Sequence, residues 1–209
     1  MKFCGMCHKA EKTAWEATLH AEQTPGDDDT PWTHVTGYDP ATGEGVEDGV
    51  SCEMCHGRGS VHTKVAADDR NATIVNGVKL ATPALQVSIC AQCHAKYEED
   101  APVPYTPGED LLAKITLIEV VPGEPMQQVN DLVGGKHFEN GTVCVTCHTA
   151  HTEDSVGHQL RKPVVELCGE CHADHVDLVH TKGAAKEGDT CITCHMPDGS
   201  HAFAKPVAE

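Results

Sequence analysis

The residues best suited to chemistry in this chain are its cysteines, and their spacing accounts for every one of them. All 12 fall into Cys-x-x-Cys-His units: Cys4/Cys7/His8, Cys52/Cys55/His56, Cys90/Cys93/His94, Cys144/Cys147/His148, Cys168/Cys171/His172 and Cys191/Cys194/His195. So many cysteines in a small chain ordinarily suggest a disulfide framework. A histidine after the second cysteine of every unit points instead to covalent attachment of heme c. Two cysteines three apart on one helical turn present both sulfurs to one side, ready for two thioether bonds. The next histidine then falls beneath the iron. Zinc also favours Cys-x-x-Cys pairs, but it joins two such units and does not require a histidine after each. The expected cofactor is therefore six hemes c, with His8, His56, His94, His148, His172 and His195 as proximal ligands.

The chain has 15 histidines, which leaves nine: His20, His34, His62, His137, His151, His158, His175, His180 and His201. Six irons need at most six distal ligands, so every heme could be bis-histidine. An iron closed on both sides has no site for substrate and suits electron transfer. No catalytic residue is assigned, and the chain is not expected to be an enzyme. Spacing ranks the candidates. His151, three residues beyond His148, cannot reach the far face of its own porphyrin and would serve a neighbouring heme. His175 has the same spacing from His172, with His180 a nearby competitor. His62 and His201 each lie six residues beyond a proximal histidine, while His137 and His180 precede the next unit by short loops. Methionine is the alternative axial ligand; Met6, Met54 and Met196 read as packing residues, and Met126 as a minor candidate.

The elements that must position these groups are sparse. Sharing 209 residues among six units leaves about 35 for each, and aromatics make up only 4%. Such a composition buries little apolar surface against its chain entropy unless porphyrins supply most of the core. The expected fold is mostly irregular coil with short α-helices and one or two small β-hairpins, built round a stacked heme chain. Residues 12–21 read as helix, with Trp15 and Leu19 four apart. Residues 73–80 carry a hairpin signal, with Asn76-Gly77 suited to a type I′ turn. Residues 24–49 read as a connecting loop, and 115–121 as a strand. The first cysteines lie at 4, 52, 90, 144, 168 and 191, with no fixed period, so the chain is not a solenoid. A boundary is expected near residue 130, giving a three-heme part at 1–130 and another at 131–209, packed as one continuous unit.

Lys plus Arg number 15 against 32 Asp plus Glu, a formal charge of −17. That argues against nucleic acid, whose phosphates attract basic surfaces, and against docking on an anionic membrane. No stretch approaches the roughly 20 apolar residues of a membrane span. Heme c is attached outside the cytoplasm, so the expected location is extracellular or periplasmic, with an export signal already removed from this chain.

Two stretches go beyond the generic unit. Cys4-Gly-Met-Cys7-His8 followed by Trp15-x-x-Thr18-x-His20 resembles the first heme region of tetraheme cytochromes c from ammonia oxidisers. So does Gly49-Val-Ser-Cys52-Glu-Met-Cys55-His56-Gly-x-Gly-x-x-His62. The resemblance covers roughly residues 1–100 and implies that His20 and His62 are axial ligands to hemes other than those of their own units. The distal set expected is then His20, His62, His137, His151, His180 and His201, with His34, His158 and His175 unassigned. Where that family often carries another heme unit, this chain has Thr30-Pro-Trp-Thr33-His34, with threonines at both cysteine positions, like a lost heme site. Small acidic multiheme chains also resemble the subunits of extracellular cytochrome filaments. The expected function is heme-to-heme electron conduction, as a filament subunit or a discrete carrier. The partners would be redox proteins and, in a filament, further copies of the chain. The competing expectation is a reductase of small nitrogen or sulfur compounds with one open heme.

Overall fold

Every Cys-x-x-Cys-His unit has its first cysteine on a helix, and most of these helices are about one turn long. The structure is a computed structural model that describes residues 4–23, 38–39, 44–45, 49–98, 103–121, 126–152, 158–177, 181 and 183–204. The unit helices are α1 (Cys4–Cys7), α4 (Cys52–His56), α5 (Pro83–His94), α8 (Cys144–Cys147), α9 (Val164–Gly169) and α10 (Cys191–His195). Four more, α2 (Lys9–Trp15), α3 (Leu19–Glu22), α6 (Gln128–Val133) and α7 (Lys136–Glu139), lie between them. The rest is turns, short 3₁₀ segments and coil, with one two-residue antiparallel ladder, β1 (Tyr38–Asp39) against β2 (Glu44–Gly45).

Local sequence explains why such short helices start where they do. In Val143-Cys144-Val145-Thr146 the backbone N–H of Val143 donates to Thr146 Oγ1 at 3.1 Å, and the N–H of Thr190 donates to Thr193 Oγ1 at the same distance. The threonine inside the unit therefore caps its own helix. The longest helix, α5, has stronger signals: Pro83 opens it, and the N–H of Leu85 donates to the Thr82 hydroxyl at 3.3 Å.

The main apolar core gathers round α5. Val87 and Ala91 from α5 pack with Tyr105, Leu111 and Ile115 from the following loop, Val129 and Leu132 from α6, and Val143 just before α8. Two polar residues of α5 lock its neighbours. Ser88 Oγ, fully buried, accepts from the N–H groups of Leu111 at 2.9 Å and Leu112 at 3.4 Å. Gln92 Nε2 donates to the Met54 carbonyl at 2.9 Å, tying α4 to α5. Gly49 docks α3 beside α4: the N–H of Val50 donates to the His20 carbonyl at 2.7 Å. A Cβ on Gly49, whose φ is +74°, would lie 2.6 Å from the Ala21 carbonyl oxygen.

Several local expectations give way. Residues 73–80 form no hairpin. The backbone runs from a 3₁₀ segment at Ala67–Ala72 into another at Gly77–Lys79, and Asn76 is extended at φ −109°, not left-handed. This segment bonds to the second unit instead, since the Val75 N–H donates to the His56 carbonyl at 2.9 Å. The helix expected over 12–21 breaks at Thr18, whose side chain turns back to the Trp15 carbonyl at 2.8 Å. Trp15 is consequently buried while Leu19 is 53% exposed, and the two do not form one stripe. Residues 115–121 pair only locally, through a bridge between Tyr97 and Leu117. Met54 is packed as expected, but Met6 is 77% exposed.

Replacing Ser88 by Ala leaves the Leu111 N–H buried without an acceptor, a loss of about 1–3 kcal/mol. Denaturant unfolding of the intact protein should show a lower midpoint with an unchanged visible spectrum.

Candidate heme centres

One α-turn brings the chemistry of each unit together. The N–H of His8 donates to the Cys4 carbonyl at 2.9 Å, and His148 to Cys144 and His172 to Cys168 do the same. Residues i, i+3 and i+4 thus share one helical face, with two sulfurs beside an imidazole.

Among the described residues, five proximal rings face a second ring brought from elsewhere in the chain. His8 lies 6.1 Å from His62, His94 6.2 Å from His20, and His56 5.9 Å from His151. His172 lies 6.0 Å from His137, and His148 6.0 Å from His201, all between ring centroids. With metal–nitrogen bonds of about 2 Å on each side, as for imidazole ligands generally, two axial rings bracket one iron with centroids roughly 6 Å apart. Other ring contacts in the molecule scatter more widely, from 4.0 Å for His137–Phe203 to 6.2 Å for His201–Phe203 and 6.5 Å for His172–His175.

The rings are also oriented for it. Nδ1 meets a carbonyl oxygen in His56 (Val75, 2.6 Å), His62 (Arg70, 3.0 Å), His148 (His158, 2.7 Å), His195 (Ala204, 3.0 Å) and His201 (Gly199, 3.0 Å). His94 Nδ1 meets a side-chain oxygen, Gln128 Oε1, at 3.0 Å. A carbonyl only accepts, so Nδ1 carries the proton and the lone pair of Nε2 is left for a metal. Burial lowers the pKa of His94, His137, His151 and His201, and a neighbouring ring lowers each further. Neutral imidazole is the ligating form.

Burial holds several of the thiols neutral, while a hydrogen bond with Cys90 lowers Cys144. Burial raises Cys55 to about 11 and Cys93 to about 12, with a smaller push from Cys52 on the first and from Cys55 on the second. A zinc site needs thiolate. Among the described residues no cluster of three or more His, Cys, Asp or Glu could hold a metal ion by itself. A cleft of about 510 Å³ lies between the third, fourth and fifth units, lined by Gln86, Val143, Val145, Arg161, Lys162 and Leu167. Its volume is in the range of small-molecule sites, and Glu170 also lines it, ion-paired with Lys162.

The units follow one another in space as in sequence. Side-chain contacts join Cys4 to Cys52, Cys90 to Cys144 and Cys168 to Cys191. Cys55 interacts electrostatically with Cys93, and Cys147 with Cys171. Contacts between touching thiols therefore alternate with looser ones along the row. Cys194 lies half-buried on α10, one turn beyond Cys191. Its expected role in heme attachment therefore stands on local spacing from Cys191 and His195, not on a contact between units.

A family described as a doubled CXXCH motif matches residues 136–177, the stretch that holds the fourth and fifth units. Four further copies of the same unit lie outside that match. The chain is a multiheme c-type cytochrome. This cytochrome is similar to the dissimilatory sulfite reductase MccA of Wolinella succinogenes, at 23% identity over 176 residues. The match takes in 73% of this chain and 22% of the reductase, so the cytochrome spans under a quarter of that protein's length. Among solved structures it is similar to an undecaheme cytochrome from the S-layer of Carboxydothermus ferrireducens, with a TM-score of 0.44 and 21% identity over 91% of this chain and 38% of the other. No helix among the described residues of the cytochrome is long and apolar enough to cross a membrane.

Of the distal candidates, His20, His62, His137, His151 and His201 each oppose a proximal ring, whereas His180 and His34 lie outside the described residues. His158 contributes its carbonyl to His148. His175 follows His172 on the same 3₁₀ turn, 6.5 Å away and nearly parallel. Gln128 and Phe203 carried no signal in the sequence, because neither belongs to a motif and both act on histidines distant in sequence.

Alkylation with iodoacetamide of the unfolded mature cytochrome should modify none of its cysteines, Cys194 included, and the porphyrin should stay with the polypeptide in acidified acetone. Labelling of all 12 after chelation would be the behaviour of a zinc protein.

Proposed function

We propose that this cytochrome conducts electrons through six hemes c, one on each Cys-x-x-Cys-His unit and each closed by two histidines. The observation that carries the reading is the set of five opposed imidazole pairs at 5.9–6.2 Å. Heme supplies a reversible one-electron change at iron; the chain fixes the order of the centres, their spacing and their potentials. His8 and His62, His56 and His151, His94 and His20, His148 and His201, and His172 and His137 are the axial pairs, with His180 assigned to His195. The sixth heme is attached through Cys191 and Cys194. The two halves at 1–130 and 131–209 work as one unit, which is supported by the pairing of His56 with His151 across them.

The attachment chemistry argues for a chain that works outside the cytoplasm, periplasmic or extracellular. Its charge of −17 favours basic or cation-bridged redox partners. A row running from the first unit to the sixth also has the form needed for passage between copies of the chain, as a filament subunit. Electron microscopy of native material distinguishes continuous filaments from the discrete carrier.

The sulfite reductase relative favours a second reading, a reductase with one five-coordinate iron.

Magnetic resonance spectra of the oxidised protein should contain low-spin ferric signals alone, and a redox titration should give mainly negative midpoints. His151→Ala and His201→Ala should each convert one heme to high spin. A high-spin heme in the unmodified protein would favour the reductase.

A further inference from the structure

Helix α6 touches two axial ligands from a single turn. Gln128 Oε1 meets His94 Nδ1 at 3.0 Å. Three residues on, Asp131 Oδ2 accepts from Ser200 Oγ at 2.8 Å and from the backbone N–H of His201 at 3.0 Å. Residues i and i+3 lie on one face of a helix, so both acceptors project together.

The helix that carries them is itself held firmly. Val129 and Leu132 of the same helix are buried in the main core. Asn130 Nδ2 donates to the carbonyls of Lys96 at 2.7 Å and Ile118 at 3.1 Å, while its Oδ1 accepts from the Lys96 N–H at 2.9 Å. The segment that α6 grips is buried too: Ser200 is 4% exposed, and its hydroxyl also accepts from the Ala202 N–H at 3.2 Å.

His94 differs from the other proximal rings with a Nδ1 partner. His56, His148 and His195 donate to backbone carbonyls, whose strength as acceptors is set by the peptide bond. His94 is served by a side chain, so its partner is open to chemical tuning. The hydrogen bond at Nδ1 governs how strongly an imidazole donates to a metal, and through it the metal's potential. The two ligands served by α6 also belong to neighbouring units, since the side chains of Cys90 and Cys144 are in contact.

We infer that α6 is a positioning element shared by two adjacent redox centres: Gln128 sets the basicity of His94, and Asp131 aims His201 at the iron it shares with His148. The inference rests on the bis-histidine reading above. Neither residue touches an iron. Because both sit on one short rigid helix, the third and fourth centres are tuned by the same element.

The test uses the heme-loaded full chain, with redox titration and magnetic resonance spectra as readouts. Gln128→Glu, an isosteric change that supplies a stronger acceptor, should move one midpoint to more negative potential. Gln128→Leu should move the same midpoint positive, with the others unmoved. Asp131→Ala should produce a high-spin ferric signal equal to one heme, and Asp131→Asn, which keeps an acceptor oxygen, should not. Unchanged midpoints in both Gln128 variants, or several midpoints moving equally, would overturn the role of Gln128. An entirely low-spin Asp131→Ala protein, or an Asp131→Asn protein as high-spin as Asp131→Ala, would overturn that of Asp131. If Asp131→Ala fails to mature, the Gln128 pair still decides whether α6 tunes a centre. His201→Ala separates the two levels. If it yields a high-spin heme while Asp131→Ala does not, positioning alone fails; if it too stays low-spin, the bis-histidine assignment of that heme fails.

Discussion

Five pairs of imidazoles held about 6 Å apart are the arrangement on which, in the proposed reading, the rest of this molecule depends. Each pair draws on distant parts of the chain. His62, from beyond the second unit, returns to the first, and His20 reaches forward to the third. His151 reaches back to the second unit, His201 to the fourth, and His137 forward to the fifth. On the proposed reading each pair is a cross-link through iron, closing a loop that side-chain packing alone would have to close in an ordinary protein. Free energy of metal ligation is then folding free energy. This explains how a chain with 4% aromatics and a single substantial apolar cluster among its described residues holds one architecture.

Irregular backbone follows from the same constraint. An axial imidazole needs an acceptor for Nδ1–H, and helices and sheets commit most carbonyls to their own N–H groups. Turns and coil leave carbonyls available, and those of Val75, His158, Ala204 and Gly199 are used in this way. Short unit helices, each about one turn long, suffice to set two sulfurs and a ring. Longer ones would consume chain that is needed to reach the next iron. The exception is α5, which doubles as the wall of the apolar core and is extended accordingly.

What was legible in the sequence was chemistry carried by local spacing. Cys-x-x-Cys-His needs only one α-turn, so residue identity and geometry coincide, and the doubled unit at residues 136–177 is recognisable by itself. Cys194 shows the same point from the other side, since its spacing from Cys191 and His195 is all that marks it. The candidate status of His151 was also legible, because three residues cannot span a porphyrin. Its partner was not, since pairing with His56 depends on the path of nearly a hundred intervening residues. The hairpin expected at Asn76-Gly77 failed for a related reason. Val75 is claimed by both the carbonyl and the ring of His56, and that long-range demand outweighs a turn preference. Thr18 broke a helix that periodicity alone would continue, by competing for the Trp15 carbonyl. Order along the row was hidden as well, because unequal loops give no period from which to read it.

The distribution of protein packing along the row separates its middle from its ends. The apolar core encloses the third and fourth units through α5, α6 and Val143, and the burial of His94 lowers its pKa by desolvation. Towards one end Met6 is 77% exposed and Cys7 is exposed; towards the other, Cys171 is exposed. A ferric bis-histidine centre carries net positive charge at the metal that reduction removes, so a dry surrounding favours the reduced form while an acidic, solvated one favours the oxidised. On the electron-transfer reading the middle of the row is therefore the place where an electron rests most easily, and the ends are where it arrives and leaves. Helix α6, packed into that dry middle and bonded to ligands of both central units, is placed to adjust this resting point without altering either entry.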